Sequence, residues 1–226
     1  MLIEEDLGIN GYKIYQREGL YKFTSDAILL SRFARVKKGD AVADFCAGSG
    51  IVGLHLYALN PGLIKSVDLF EMQRQLYELS LETVKKNGLG GAFCAHNIRV
   101  QDIGAEYNGK FSLIVCNPPY MPVNSGEVKV NESFAVARTE RELPLNELLA
   151  AVSRALKYGG RVCLVHRAQR LTDLLCGMRA FNLEPKRLQF VRAAGKAPYL
   201  VLAEGVKGGK SGVKIEKDVP IGAQTE

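Results

Sequence analysis

The chain has 226 residues, 47% hydrophobic and 24% charged, a balance that excludes intrinsic disorder and collagen-like or low-complexity character. That length suits one compact domain with a small appendage, large enough to need no disulfide or structural metal. No run approaches the ~18 apolar residues of a membrane span. The start Met1-Leu2-Ile3-Glu4-Glu5-Asp6 is acidic, unlike a signal peptide, and five scattered cysteines without a C-x-x-C pair point to reduced thiols, a cytoplasmic setting and no metal.

The net charge of +6 is unevenly placed. Residues 1–150 carry 16 Lys+Arg against 18 Asp+Glu, a net of −2, and residues 151–226 carry 14 against 6, a net of +8. The C-terminal third is therefore a candidate phosphate-facing surface, weighed against a merely solubilising one.

In chain order, Tyr12–Tyr15 and Gly19–Phe23 flank the turn-like Arg17-Glu18 and predict a strand pair. Ser25 or Asp26 can cap a helix over Ala27–Arg35. From Ala41 short apolar strands alternate with amphipathic helices. Strands are predicted at Ala41–Phe45, Ile64–Phe70, within Phe93–Val100, and at Phe111–Cys116, Arg161–His166, Arg187–Val191 and Tyr199–Glu204. Helices are predicted at Gly50–Leu59, Glu71–Asn87, Leu145–Tyr158 and Leu171–Phe181. This order defines an α/β, doubly wound, mostly parallel sheet with an antiparallel pair at the end. Residues 1–40 form an N-terminal hairpin-and-helix extension, 41–205 the main domain, and 206–226 a flexible basic tail.

The first motif, Asp44-Phe-Cys46-Ala-Gly48-Ser-Gly50-Ile-Val-Gly53, lies between a strand and a helix. Glycines there let the backbone turn tightly and approach a ligand. Gly48, Gly50 and Gly53 fit the dinucleotide fingerprint, with Glu71 placed 18 residues on to hold ribose hydroxyls. With Asp44 they fit equally the D-x-x-x-G-x-G turn of S-adenosylmethionine-binding methyltransferases. Asp102, after the third strand, could accept from an adenine amino group, with Ile103 against the ring.

The second motif decides between them. Leu113-Ile-Val-Cys116 runs into Asn117-Pro118-Pro119-Tyr120 at the carboxyl end of a strand, where open α/β sheets bind ligands. The prolines remove two N–H donors and stiffen the loop. The Asn117 side-chain oxygen and the Pro118 carbonyl remain as fixed acceptors, able to bind both hydrogens of an amine and aim its lone pair. Tyr120 offers a face on which a flat base or amide can stack. His55, His96 and His166 read as structural, and Cys116 as a small buried residue.

Together, Asp44–Gly50, Glu71 and Asn117–Tyr120 resemble the class I amino-methyltransferases acting on planar nitrogen. Three further segments resemble the bacterial tRNA (adenine-N(6))-methyltransferase family that modifies the adenine next to the anticodon of a valine tRNA. They are Phe23-Thr-Ser-Asp26-Ala-Ile-Leu-Leu30, Ala137-Arg138-Thr-Glu140, and Leu164-Val-His166-Arg167 with Glu184-Pro-Lys-Arg187-Leu-Gln-Phe190. The resemblance covers residues 10–205 and departs at Cys46, where the family has glycine. It implies a seven-stranded Rossmann-like methyltransferase fold and S-adenosylmethionine held by Asp44, Cys46, Gly48, Gly50, Glu71, Asp102, Ile103 and Asn117. It also implies catalysis by Asn117, Pro118 and Tyr120 on a tRNA adenine. Arg138, Arg167, Lys186 and Arg187 are candidate RNA contacts. No oligomer is legible, and a monomer is assumed. Three rivals are a protein-glutamine methyltransferase, a nicotinamide-dependent oxidoreductase and a non-catalytic RNA-binding module.

Overall fold

In the computed structural model, residues 2–20, 22–119 and 143–221 are described. Strands β1 (Leu2–Asp6) and β2 (Lys13–Arg17) form an antiparallel hairpin. Its turn is made where Asp6 Oδ1 accepts the Gly8 N–H at 2.7 Å and where Gly8, Asn10 and Gly11 take positive φ. The pair thus lies upstream of the expected one. Tyr12–Tyr15 supplies its second strand, whereas the residues described between Gly19 and Phe23 form no strand. The hairpin is fixed to helix α3 (Arg74–Lys86), whose Asn87 cap accepts from Lys13 N–H and donates to Lys13 O. Helix α1 (Ser25–Phe33) begins after Thr24, and neither Ser25 nor Asp26 is its cap residue.

The main sheet holds β3 (Asp40–Phe45), β4 (Ile64–Phe70), β5 (Phe93–His96), β6 (Phe111–Cys116), β7 (Leu156–Arg167), β8 (Leu183–Ala193) and β9 (Leu200–Lys207), with two short strands, β10 (Lys214–Ile215) and β11 (Val219–Ile221). The order is β10-β8-β9-β7-β6-β3-β4-β5, with β11 also on β8. Strands β3 to β7 pair in parallel, and β9 runs antiparallel between β7 and β8. Helices α2 (Ile51–Leu59), α4 (Leu145–Ala155) and α5 (Leu171–Ala180) complete the described layers. Two apolar clusters share the central strands between them. Val42, Leu113 and Val115 belong to one, and Ala43, Phe45, Ile114 and Cys116 to the other. That is why the central strands read as unbroken apolar runs: both faces are covered.

Two expectations need correction. Helix α4 stops at Ala155, three residues short of Tyr158, and β7 begins at once. The Lys207 ammonium takes the Ser153 and Leu156 carbonyls there, satisfying acceptors that a longer helix would have used. The tail, expected to be loose from residue 206, is built into the sheet as far as Ile221. Lys214 and Ile215 pair with Arg187 and Leu188, and Val219–Ile221 with Val191–Ala193. The Lys186 ammonium clamps the loop between β9 and β10 through the carbonyls of Lys210 and Gly212, at 3.0 and 2.8 Å.

Arg187 is the centre of that construction. Its guanidinium is buried, donates to Glu204 and the Phe33 carbonyl at 2.8 Å each, meets Glu216 at 3.2 Å and lies over the Phe33 ring. A guanidinium so enclosed faces no RNA, which corrects its expected role; Lys186 is likewise engaged in the loop clamp. Arg187→Ala would leave Glu204 buried and unpaired. Chemical denaturation should report a loss of about 3–5 kcal/mol.

Candidate methyl-transfer site

The parallel strands β3, β4 and β6 end side by side. Phe45 is in register with Phe70 on β4 and with Cys116 on β6. Asp44 to Gly50, Glu71 and Asn117 therefore converge at one carboxyl edge, the place where the strand order reverses. The chain leaves β3 through a turn in which Cys46, Gly48 and Gly50 all have positive φ, at 61°, 57° and 89°. Glycine adopts these angles freely, and a Cβ at Gly48 would meet nothing within 4 Å, so the turn opens onto free space. Gly53, in the first turn of α2, serves packing instead. A Cβ there would lie 2.9 Å from Leu69 and 3.1 Å from Val67.

Cys46 is the exception to this economy. The structure puts it in the left-handed region, where a non-glycine residue costs roughly 1–2 kcal/mol, which is why a glycine would suit this position better. Its thiol lies against Cys116, whose own thiol is pushed well up, chiefly by burial and secondarily by Cys46. Cys116 is thus a buried apolar filler beneath the turn and no nucleophile.

Two carboxylates pin the turn from below. Asp44 Oδ2 accepts the Gly53 N–H at 2.8 Å, and its buried Oδ1 has no partner. Glu71 Oε2 accepts the Gly48 N–H at 2.9 Å, and Oε1 accepts that of Gln73 at 2.8 Å. These bonds hold residues 71–73 out of the helix, which starts at Arg74 and not at the expected Glu71. Asn97, which nothing in the periodicity singled out, completes the support: its amide donates to the Glu71 and Met72 carbonyls at 2.9 and 3.0 Å.

The other expected residues are less uniform. Asn117 and Pro119 are half-buried and Pro118 is buried, all at the end of β6. Ile103 is buried, while Asp102 is exposed and 3.9 Å from Arg99, so the structure does not bring its carboxylate onto the buried pair. Arg167 ends β7 at the same edge. Tyr120 and Arg138 lie outside the described residues. The three histidines are placed away from chemistry: His55 Nδ1 meets Ser31 Oγ at 2.6 Å, joining α1 to α2, His96 Nε2 meets Asp68 at 2.8 Å, and His166 is buried in β7. Asp68, Cys94 and His96 do offer donor atoms within 4.8 Å of one another, a set the sequence spacing did not suggest. The Lys110 ammonium already stands 3.2 Å from Asp68 and supplies the positive charge there.

A glycine turn over buried carboxylates, at the switch point of a doubly wound sheet and beside an Asn-Pro-Pro loop, defines a Rossmann-like fold of the methyltransferase type. Residues 23–175 match the family model of the methyltransferase small domain, and the chain belongs to that family. Among similar proteins, a tRNA1(Val) (adenine(37)-N6)-methyltransferase of Flavobacteriaceae bacterium (strain 3519-10) is 25% identical over 68% of this chain and 63% of its own. The protein of that name from Cronobacter sakazakii is 27% identical over 80% of this chain and 73% of its own. The chain thus spans about two thirds of the length of these relatives. A predicted O-methyltransferase of Agrobacterium tumefaciens shares the fold, with a TM-score of 0.69 at 15% identity over 88% of this chain and 90% of that one.

Burial pushes the Asp44 carboxyl up to about 7; the Gly53 N–H opposes this and the Glu71 charge adds to it. Burial raises Glu71 in the same direction. The folded chain therefore holds these protons more tightly than the unfolded chain, whose aspartates titrate near ~3.9. Stability from this source is full below that value, declines as pH rises towards about 7, and stays lower above. Asp44→Asn keeps an oxygen for Gly53 and removes the titration. Without added ligand, its melting temperature should fall less than that of the unaltered chain between about pH 5 and pH 8; parallel curves would show that another group titrates.

Proposed function

We propose that this chain transfers a methyl group from S-adenosylmethionine to the exocyclic amino group of an adenine in RNA, with a tRNA anticodon-loop adenine as substrate. The observation that carries the reading is the register of Phe45 with Cys116, which sets Asn117 and Pro118 beside the glycine turn. A cofactor turn and a pair of amine acceptors then share one edge. The tRNA1(Val) (adenine(37)-N6)-methyltransferases to which the chain is similar support the choice of a tRNA adenine.

The residues present fit the cofactor. The space over Gly48 is unobstructed, Glu71 is a buried carboxylate at the end of β4, and the unpartnered Asp44 Oδ1 lies beneath the turn. Glu71 would hold the ribose hydroxyls through its remaining lone pairs, and Ile103 the adenine ring. The bound cofactor supplies a sulfonium methyl, electrophilic enough for direct transfer. Burying a cation next to two carboxylates whose protons are held too tightly is favourable, because its charge stabilises their ionised forms.

On the substrate side, the Asn117 oxygen and the Pro118 carbonyl accept the two amine hydrogens and draw the nitrogen lone pair out of conjugation with the ring. The bound cofactor would supply its methyl in line with that lone pair, and the cationic amine so formed would release its proton to water. No strong general base is required. The contribution of the chain is positioning and fixed dipoles.

Incubation with labelled S-adenosylmethionine and valine tRNA, followed by nucleoside analysis, should yield N6-methyladenosine. Label on a glutamine-containing protein and none on tRNA would replace the RNA assignment with the amide one. Asn117→Ala should reduce transfer at least about 100-fold, well beyond any loss of cofactor affinity measured by calorimetry. Glu71→Ala, checked for an intact melt, should weaken the cofactor by about 10- to 150-fold in calorimetry, the scale of a lost hydrogen bond to a charged group.

A further inference from the structure

The sheet separates the positive charge of this chain in a way the sequence does not reveal. At the edge holding Asn117, two arginines are answered, Arg170 meeting Asp173 at 2.5 Å and Arg192 meeting Asp218 at 2.8 Å, and Lys196 is exposed. The opposite edge, where the parallel strands begin, is different. Lys38 precedes β3, Lys65 opens β4, Lys157 opens β7, and Lys210 follows the antiparallel β9, which finishes at this edge. All four are exposed, and among the described residues none has an ion-pair partner. The acids nearby are largely consumed. Asp40 is buried against Arg161 at 2.6 Å, and Glu184 meets Arg179 at 3.2 Å, leaving the exposed Glu106. Strands lie about 4.8 Å apart, so four steps from β4 to β9 spread these lysines over about 19 Å.

An aromatic ring stands in this row. Tyr158 is 77% exposed, the most of any large apolar or aromatic side chain described. It is nonetheless held, since its hydroxyl donates to the Gly208 carbonyl at 3.2 Å. Its ring covers Gly208 so closely that a Cβ there would come within 2.2 Å of it. One face of a fixed ring is thereby presented to solvent between Lys157 and Lys210. A flat ring flanked by unpaired ammonium groups is suited to a nucleic-acid strand, with phosphates on the lysines and a base on the ring.

Resting on the RNA reading above, we infer that this amino-terminal edge, centred on Tyr158, Lys157, Lys210 and Lys38, is a second RNA-contact surface. Leu156 is level with Phe111, and Asn117 follows Phe111 by six residues, or about 20 Å along β6, so the surface lies away from the base being methylated. It engages a distant part of the same folded RNA. Affinity then depends on the body of the substrate, and chemistry on the loop alone.

The test compares a full-length valine tRNA transcript with the short anticodon hairpin cut from it. For the unaltered chain, KM should be lower for full-length tRNA and more sensitive to salt. The triple variant Lys38→Glu, Lys157→Glu, Lys210→Glu should raise the full-length KM at least about 10-fold and reduce its log–log salt slope by about 2, from roughly 0.7–0.9 per contact. Its kcat, hairpin KM and cofactor affinity should not change. Tyr158→Ala should weaken full-length tRNA about 5-fold or more, and Tyr158→Phe much less. Equal KM values for the two substrates, or a triple variant that binds full-length tRNA normally, would overturn the inference, as would binding to anionic vesicles in place of tRNA. If no RNA is methylated, the reaction assignment fails separately. Direct binding of tRNA, salt-dependent in the unaltered chain and lost in the triple variant, would then still decide the surface.

Discussion

Two carboxylates buried under one glycine turn set the terms for everything at the carboxyl edge. Asp44 holds α2 to β3 through the Gly53 N–H, and Glu71 holds the turn to the end of β4 through the Gly48 N–H. Both carboxylates are buried, and among the described residues no cation is paired with them. The fold thus accepts a local electrostatic penalty, visible in the raised carboxyl of Asp44, to fix the backbone in a shape that leaves open space over Gly48. A ligand with positive charge would relieve that penalty. The turn is therefore organised before binding, at a cost that binding offsets.

The same constraint explains how Asn117 becomes useful. An Asn-Pro-Pro segment by itself is a stiff strand terminator. Its two acceptors gain meaning because β6 is hydrogen-bonded in register with β3, so the terminator falls next to the turn. The register in turn depends on apolar residues covering both faces of β3 and β6. A slip by one residue would exchange the two faces and move Asn117 away from Gly48. The precision of the site is a property of the buried sheet more than of the loops.

At the far side, a second buried ionic group organises the C-terminal strands. Arg187 joins β8 to β9 through Glu204, to α1 through the Phe33 carbonyl and to the tail through Glu216. Charge that looked like a nucleic-acid surface in the chain is here used for construction, and Lys186 and Lys207 are used in the same way, bonded to backbone carbonyls. Among the exposed cations without an ion-pair partner, Lys38, Lys65, Lys157 and Lys210 lie where the parallel strands begin.

The sequence alone determined the alternating order of strands and helices, the glycine turn, Glu71 at the end of the second parallel strand and Asn117 at the end of the fourth. These are local signals: periodicity, turn chemistry and motif spacing act between neighbours in the chain. It misjudged the hairpin, because the turn residues Gly8, Asn10 and Gly11 needed positive φ that a pattern of apolar residues does not report. It misplaced the start of α3 and the end of α4, because Glu71 takes the Gln73 N–H with Asn97 bracing the turn and Lys207 takes carbonyls at the end of α4, contacts made between residues far apart in the chain. It also read the tail as loose, since the strands β10 and β11 are too short to show a period and exist only by pairing with β8. Only the tertiary structure decided which charges are buried, which are answered and which face solvent, because burial and pairing are set by contacts between residues far apart in the chain.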